Sequence, residues 1–136
     1  MKRVSFGIVI ALLVLSAGFA TAKHFWRGET MSAQQGAKKW GTHPFEKEKF
    51  KTGDDHSRAT MASSLLQNQK NFVGKRPSEI REELGNPDGF YFSDMFPAYF
   101  IERGQKEGED SWQLVFLLDR NEKVAEIIIH KNCCEK

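Results

Sequence analysis

The sequence is poor in the residues that staple, bend or strongly charge a chain. It has 2 Cys and 4 Pro among 136 residues, and 20 Lys+Arg stand against 18 Asp+Glu. The cysteines are neighbours, Cys133 and Cys134. A disulfide between adjacent residues closes a strained eight-membered ring, so no structural bridge is expected within the pair. With 40% hydrophobic and 12% aromatic residues, a wholly disordered, collagen-like or mucin-like chain is excluded. The formal charge of +2 is matched by Lys2 and Arg3 at the extreme N-terminus. The remainder is formally neutral, which gives no footing for nucleic acid or for a polybasic membrane clamp. There is no G-x-S-x-G, P-loop or H-E-x-x-H motif, and His24, His43, His56 and His130 are far apart and lack metal-ligand spacing. No catalytic residue, metal or cofactor is therefore expected, and the length suits one domain.

The one long apolar run lies at the start. Met1-Lys2-Arg3 is basic, Phe6–Leu15 is uncharged and apolar, and Ser16–Ala22 is small, ending in Ala20-x-Ala22. That is the order of a secretory leader, with cleavage expected after Ala22. The alternative is a retained single-pass anchor, because the uncharged stretch from Val4 to Ala22 approaches the ~20 residues needed to span a bilayer. Leu15-Ser16-Ala17 opens like a lipobox, but Gly18 stands where the lipidated Cys is required, so no acyl anchor is expected. Both readings send the rest of the chain out of the cytoplasm, as a periplasmic or secreted protein if cleaved and membrane-anchored if not.

Residues 23–54 are polar and Lys-rich, with Phe25, Trp26, Trp40, Phe45 and Phe50 scattered at no helical or strand spacing. They predict a flexible tether; the alternative is a partner-binding strip, since isolated rings are costly to leave in water. From Asp55 the pattern tightens. Asp55 or Ser57 can cap a helix running to about Gln69, burying Met61, Leu65 and Leu66. Phe72 and Val73 are expected to pack under a turn at Gly74. A second helix spans Pro77–Leu84, with Pro at the first position, Ile80 and Leu84 on one face, and Gly85 then Pro87 stopping it. Arg76, at its N-cap, is a poor capping residue. Strands are expected over Pro97–Glu102, Ser111–Leu118 and Lys123–His130, the last two alternating on both faces. The expected fold is α+β, two helices packed on a three-stranded antiparallel sheet in the order ααβββ, over residues 55–134.

Arg58-x-x-Met61, Gly74-Lys75, Glu79-Ile80 and Leu84-Gly85-x-Pro87-Asp88, followed by WQLVFLLDRNEKVAEIII, resemble the small outer-membrane-assembly lipoproteins of the BamE (SmpA/OmlA) type. The resemblance spans about Asp55 to Lys131. It implies a two-helix, three-strand envelope protein that binds another envelope protein and has no catalytic centre. This chain departs from the type in lacking the lipidated Cys and in having Arg76 where a Ser or Thr cap is usual. Secreted enzyme inhibitors use the same layout and form the alternative function.

Six rings fall between Phe90 and Phe100, with Met95 among them. Rings and Met in a loop bury large area with few rotors lost, so Tyr91, Phe92, Met95 and Phe96 are the candidate partner-binding residues. The dull alternative folds this loop over the helix–sheet seam. In an exported chain Cys133 or Cys134 is a candidate for an intermolecular disulfide, to a dimer or a partner. His130 with the Cys pair is the remaining candidate for thiol or metal chemistry, though C-x-x-C spacing is missing. The leading expectation is an exported, non-catalytic module that docks through its aromatic loop and an exposed sheet edge or face.

Overall fold

A computed structural model describes residues 28–106 and 108–132. The leader at 1–22 and the Cys133-Cys134 pair lie outside the described residues. The chain is α+β: β1 (Thr30–Met31), α1 (Ala33–Trp40), α2 (Lys47–Thr52), α3 (Asp55–Gln67), α4 (Pro77–Leu84), β2 (Ala98–Glu102), β3 (Ser111–Leu118) and β4 (Val124–Asn132). The sheet is antiparallel in the order β1-β4-β3-β2. Its β2-β3-β4 meander and the helix Pro77–Leu84 match the expectation. The described residues hold four helices and four strands rather than two and three.

The additional elements come from the segment expected to be a tether, which is ordered structure from residue 28 onward. Ser32 starts α1 with a reciprocal cap: its hydroxyl accepts from Gln35 N–H at 3.2 Å, and the Gln35 carboxamide accepts from Ser32 N–H at 2.9 Å. Gly36 brings this helix against the sheet; a Cβ there would stand 3.1 Å from Ile129 Cδ1. Trp40 then meets Trp112 edge-on at 6.1 Å and donates its indole N–H to Glu102. From α2, Phe50 is fully buried, and Phe45 touches both Phe50 and Phe72. Three of the five scattered aromatics are thus core or core-flanking residues; Phe25 and Trp26 lie outside the described residues.

The main core lies between the helices and one sheet face, where Met61, Leu65, Ile80 and Leu84 meet Tyr99, Leu114, Phe116 and Ile129. Leu66 is half-buried at its margin. The α3 cap is Asp54, one residue before the candidates named from sequence; its carboxylate accepts from Ser57 N–H at 2.9 Å, which holds it below the usual carboxylate range. Phe72 is buried as expected, whereas Val73 is exposed. Arg76 offers α4 no acceptor, and Glu79 instead takes the Arg76 N–H at 2.7 Å.

Among the described residues, the β2 border and the part of β4 that two-residue β1 leaves unpaired are both covered. On β2, Ala98 C=O accepts from Gly89 N–H, and Phe100 N–H donates to Asp88. On β4, beyond the short β1 pairing, Val124 bonds Gly74 and Lys75, and Ile127 N–H donates to the Gln69 carboxamide. An open edge at β2, one of the docking surfaces expected, is therefore already occupied.

Candidate functional site: the loop over the outer sheet face

The face of the sheet turned away from the helices carries Ala98, Val115, Ile128 and Leu117. Left bare, such a surface would be exposed apolar area; residues 89–97 fold across it. The rings Tyr91 and Phe96 pack on this outer face rather than over the helix–sheet seam, and only Asp94 and Met95 reach back toward α4.

Gln113 explains how the loop is held. It sits in the middle of an apolar strand and is fully buried, where an unpaired carboxamide would cost roughly 1–3 kcal/mol. Its oxygen accepts from Phe90 N–H at 3.2 Å, and its nitrogen donates to Phe90 C=O at 2.8 Å, as a neighbouring strand would. The same nitrogen donates to Asn132 Oδ1 at 2.7 Å. Gly89 permits this approach, since a Cβ there would stand 2.5 Å from Gln113 Oε1 and 3.1 Å from the Ala98 backbone. At the far end, Arg81 donates to Asp94 C=O at 2.9 Å, tying the loop to α4.

Between these anchors the rings divide. Tyr91 is buried, edge-on to His130 at 4.9 Å and to Phe96 at 5.8 Å. Phe96 is half-buried and packs on the same small core. These two proposed contact residues thus serve mainly to seat the loop. Phe92 and Met95 face outward, 70% and 49% exposed, and they are joined by Phe90 at 57%, which was not among the candidates named from sequence. The chain reverses at Phe92: Ser93 N–H donates to Tyr91 C=O two residues back, and Phe92 has φ +54°. A γ-type turn with a bulky residue at positive φ is strained by about 1–3 kcal/mol. The loop thus holds a large ring in water, on a backbone conformation that a glycine would adopt more easily.

Beneath the loop, burial holds the His130 imidazole below its ordinary value, partly offset by its bond to Asn132. His130 Nδ1 lies 3.2 Å from Asn132 Oδ1 and 3.5 Å from Gln113 Nε2. It belongs to the polar layer that seats the loop; its suggested cysteine companions lie outside the described residues. Among the described residues no group of three His, Cys, Asp or Glu converges on a metal-sized position, and no helix is long and apolar enough to cross a membrane.

No family model matches this chain, and neither a curated protein nor a solved structure matches it.

Proposed function

We propose that this chain is a non-catalytic protein-binding module of the bacterial cell envelope, with the 89–97 loop as its recognition element. One observation carries the reading: Phe92 is 70% exposed in a turn of positive φ, on a loop pinned at both ends. The ring meets the fold through one edge-on contact, with Tyr91 at 4.6 Å, and most of it stays in water; burying the rest against a partner gains up to roughly 1.5–3 kcal/mol. Phe90 and Met95 extend the apolar patch, and a loop fixed before binding loses little entropy on docking. The partner is another envelope protein, as the BamE-type resemblance implies, and the module is an accessory to envelope assembly.

The test is site-specific photocrosslinking of the full chain in its own cells, with benzoylphenylalanine replacing Phe92. The expected result is a discrete adduct that Met95→Ala weakens. The same probe at exposed Lys38, on α1, should give none. Equal labelling at both positions, or no adduct at 92, would falsify the reading.

A further inference from the structure

We propose that a cleft beside Met95 receives a carboxylate side chain of the partner, so that the ligand of this module is an acidic segment carrying an adjacent apolar residue. The proposal rests on the loop being the recognition element, and it names the chemistry that element selects. The cleft has a volume of about 580 Å³ and lies where the start of α4, the loop and the β3–β4 turn meet. Met95 and half-buried Leu118 supply apolar lining, and Arg76 and Arg81 supply cationic lining.

Both guanidiniums lack an ion-pair partner among the described residues. Arg81 is held in place by its bond to the Asp94 carbonyl, and Arg76 is exposed. One carboxylate, Glu122, lines the cleft against these two cations. Arg76 breaks a local rule in standing here. It occupies the N-cap of α4, where a Ser, Thr, Asp or Asn is favoured and where the positive end of the helix disfavours a cation by about 0.3–1 kcal/mol. Local rules broken without a structural gain tend to mark functional positions. Two guanidiniums and a helix start facing one cleft favour a carboxylate, which a guanidinium engages in a two-pronged, planar fashion. A concave site with apolar lining suits a side chain projecting from a folded or extended segment. It does not suit the flat headgroup layer of an anionic membrane.

The experiment selects binders from a random twelve-residue peptide display library against the purified full chain, then measures synthetic copies of the enriched peptides. Enriched peptides should carry Asp or Glu within a few residues of an aromatic or aliphatic one. Their affinity should fall at least about tenfold in Arg76→Gln, the effect of one charge-assisted hydrogen bond. Arg76→Glu should restore binding to a peptide whose acidic residue is changed to Lys, a rescue that a purely structural role would not produce. Peptides that depend on Phe92 and Met95 but ignore Arg76 and Arg81 overturn this proposal and leave the loop's role standing. Peptides indifferent to Phe92, or no enrichment at all, overturn both. Arg76-dependent binding to phosphatidylglycerol vesicles, without acidic peptides, assigns the cleft to a membrane and overturns the protein ligand.

Discussion

Arg58 donates to Asp88 at 2.8 Å and so closes one end of the fold upon the other: α3 is joined to the segment that follows α4. Its Nε also donates to Phe50 C=O at 3.2 Å, and its guanidinium lies over the rings of Phe50 and Tyr99. Asp88 turns its other oxygen to Phe100 N–H and shares Arg103 at 2.8 Å, while Arg103 Nε reaches Asp55 at 3.6 Å. Arg58 has a side chain 9% exposed, against 33% for Asp88. Removing the arginine therefore leaves a carboxylate that water and Arg103 still reach. Arg58→Met is expected to cost about 2–3 kcal/mol, below the value for a fully buried orphan charge. Arg58→Lys should recover little of it, because an ammonium cannot serve Phe50, Asp88 and the rings together. Urea unfolding of the three chains measures both.

Gln113 is predicted to control the loop more than the fold. Gln113→Leu leaves both Phe90 backbone groups without their partner, a loss of about 1–3 kcal/mol, and should free residues 89–97 while the meander persists. Hydrogen exchange is the readout: the Phe90 amide becomes unprotected, and the Leu114 and Ile129 amides keep most of their protection. Gly89→Ala should act in the same direction through its contact with Gln113.

Phe92 and Phe96 are expected to separate cleanly. Phe92→Gly relieves a positive φ and should alter unfolding free energy by less than about 1 kcal/mol in either direction. Phe96→Ala removes a half-buried ring from the small outer core and should cost about 1–3 kcal/mol. Partner capture should fail in the first chain despite its intact stability. Equal destabilisation in both would assign Phe92 to the core instead.

Stability should depend on pH through His130. Burial keeps its folded-state value below the ordinary 6.5, so the unfolded chain takes up the proton first. Its contribution is complete above 6.5 and declines as the pH falls below that value toward the folded one. Urea midpoints compared between about pH 7.5 and 5.5 should show this decline, and His130→Gln should flatten it.

Phe50 tests whether the segment before Asp54 belongs to the domain. A ring on a tether could be cut back freely. This one is 0% exposed and edge-on to Tyr99 at 5.5 Å. Phe50→Ala is therefore expected to lower stability by about 3–5 kcal/mol, measured in the same urea titration.

What the sequence made legible was set by ordinary patterning. Pro77 and Gly85 bracket α4, and the alternation from Ser111 to Leu118 defines β3 to the residue. The first helix escaped because its inward seam is Ala33, Gly36, Ala37 and Trp40. The spacing is helical, but three small residues carry little apolar weight and Gly36 reads as a breaker. The Ser32-x-x-Gln35 capping box was the available signal. Two-residue β1 has no period to read. In the loop, composition located the site, but no periodicity says which rings of an irregular segment turn inward. Gln113 offered the missing clue, since a carboxamide inside WQLVFLL must find partners wherever that strand is covered.

The covered flanks of β2 and β4 have a consequence for self-association. A strand with free amides invites its own kind, and stacking of that sort ends in fibres. Here Gly89 and Asp88 stand along β2, and Gly74, Lys75 and Gln69 along β4, so neither of these strands offers its flank to another chain. A partner is then expected to be met by shape and charge rather than by backbone zippering along these strands. At high local density it should stay a discrete particle instead of growing into a ribbon.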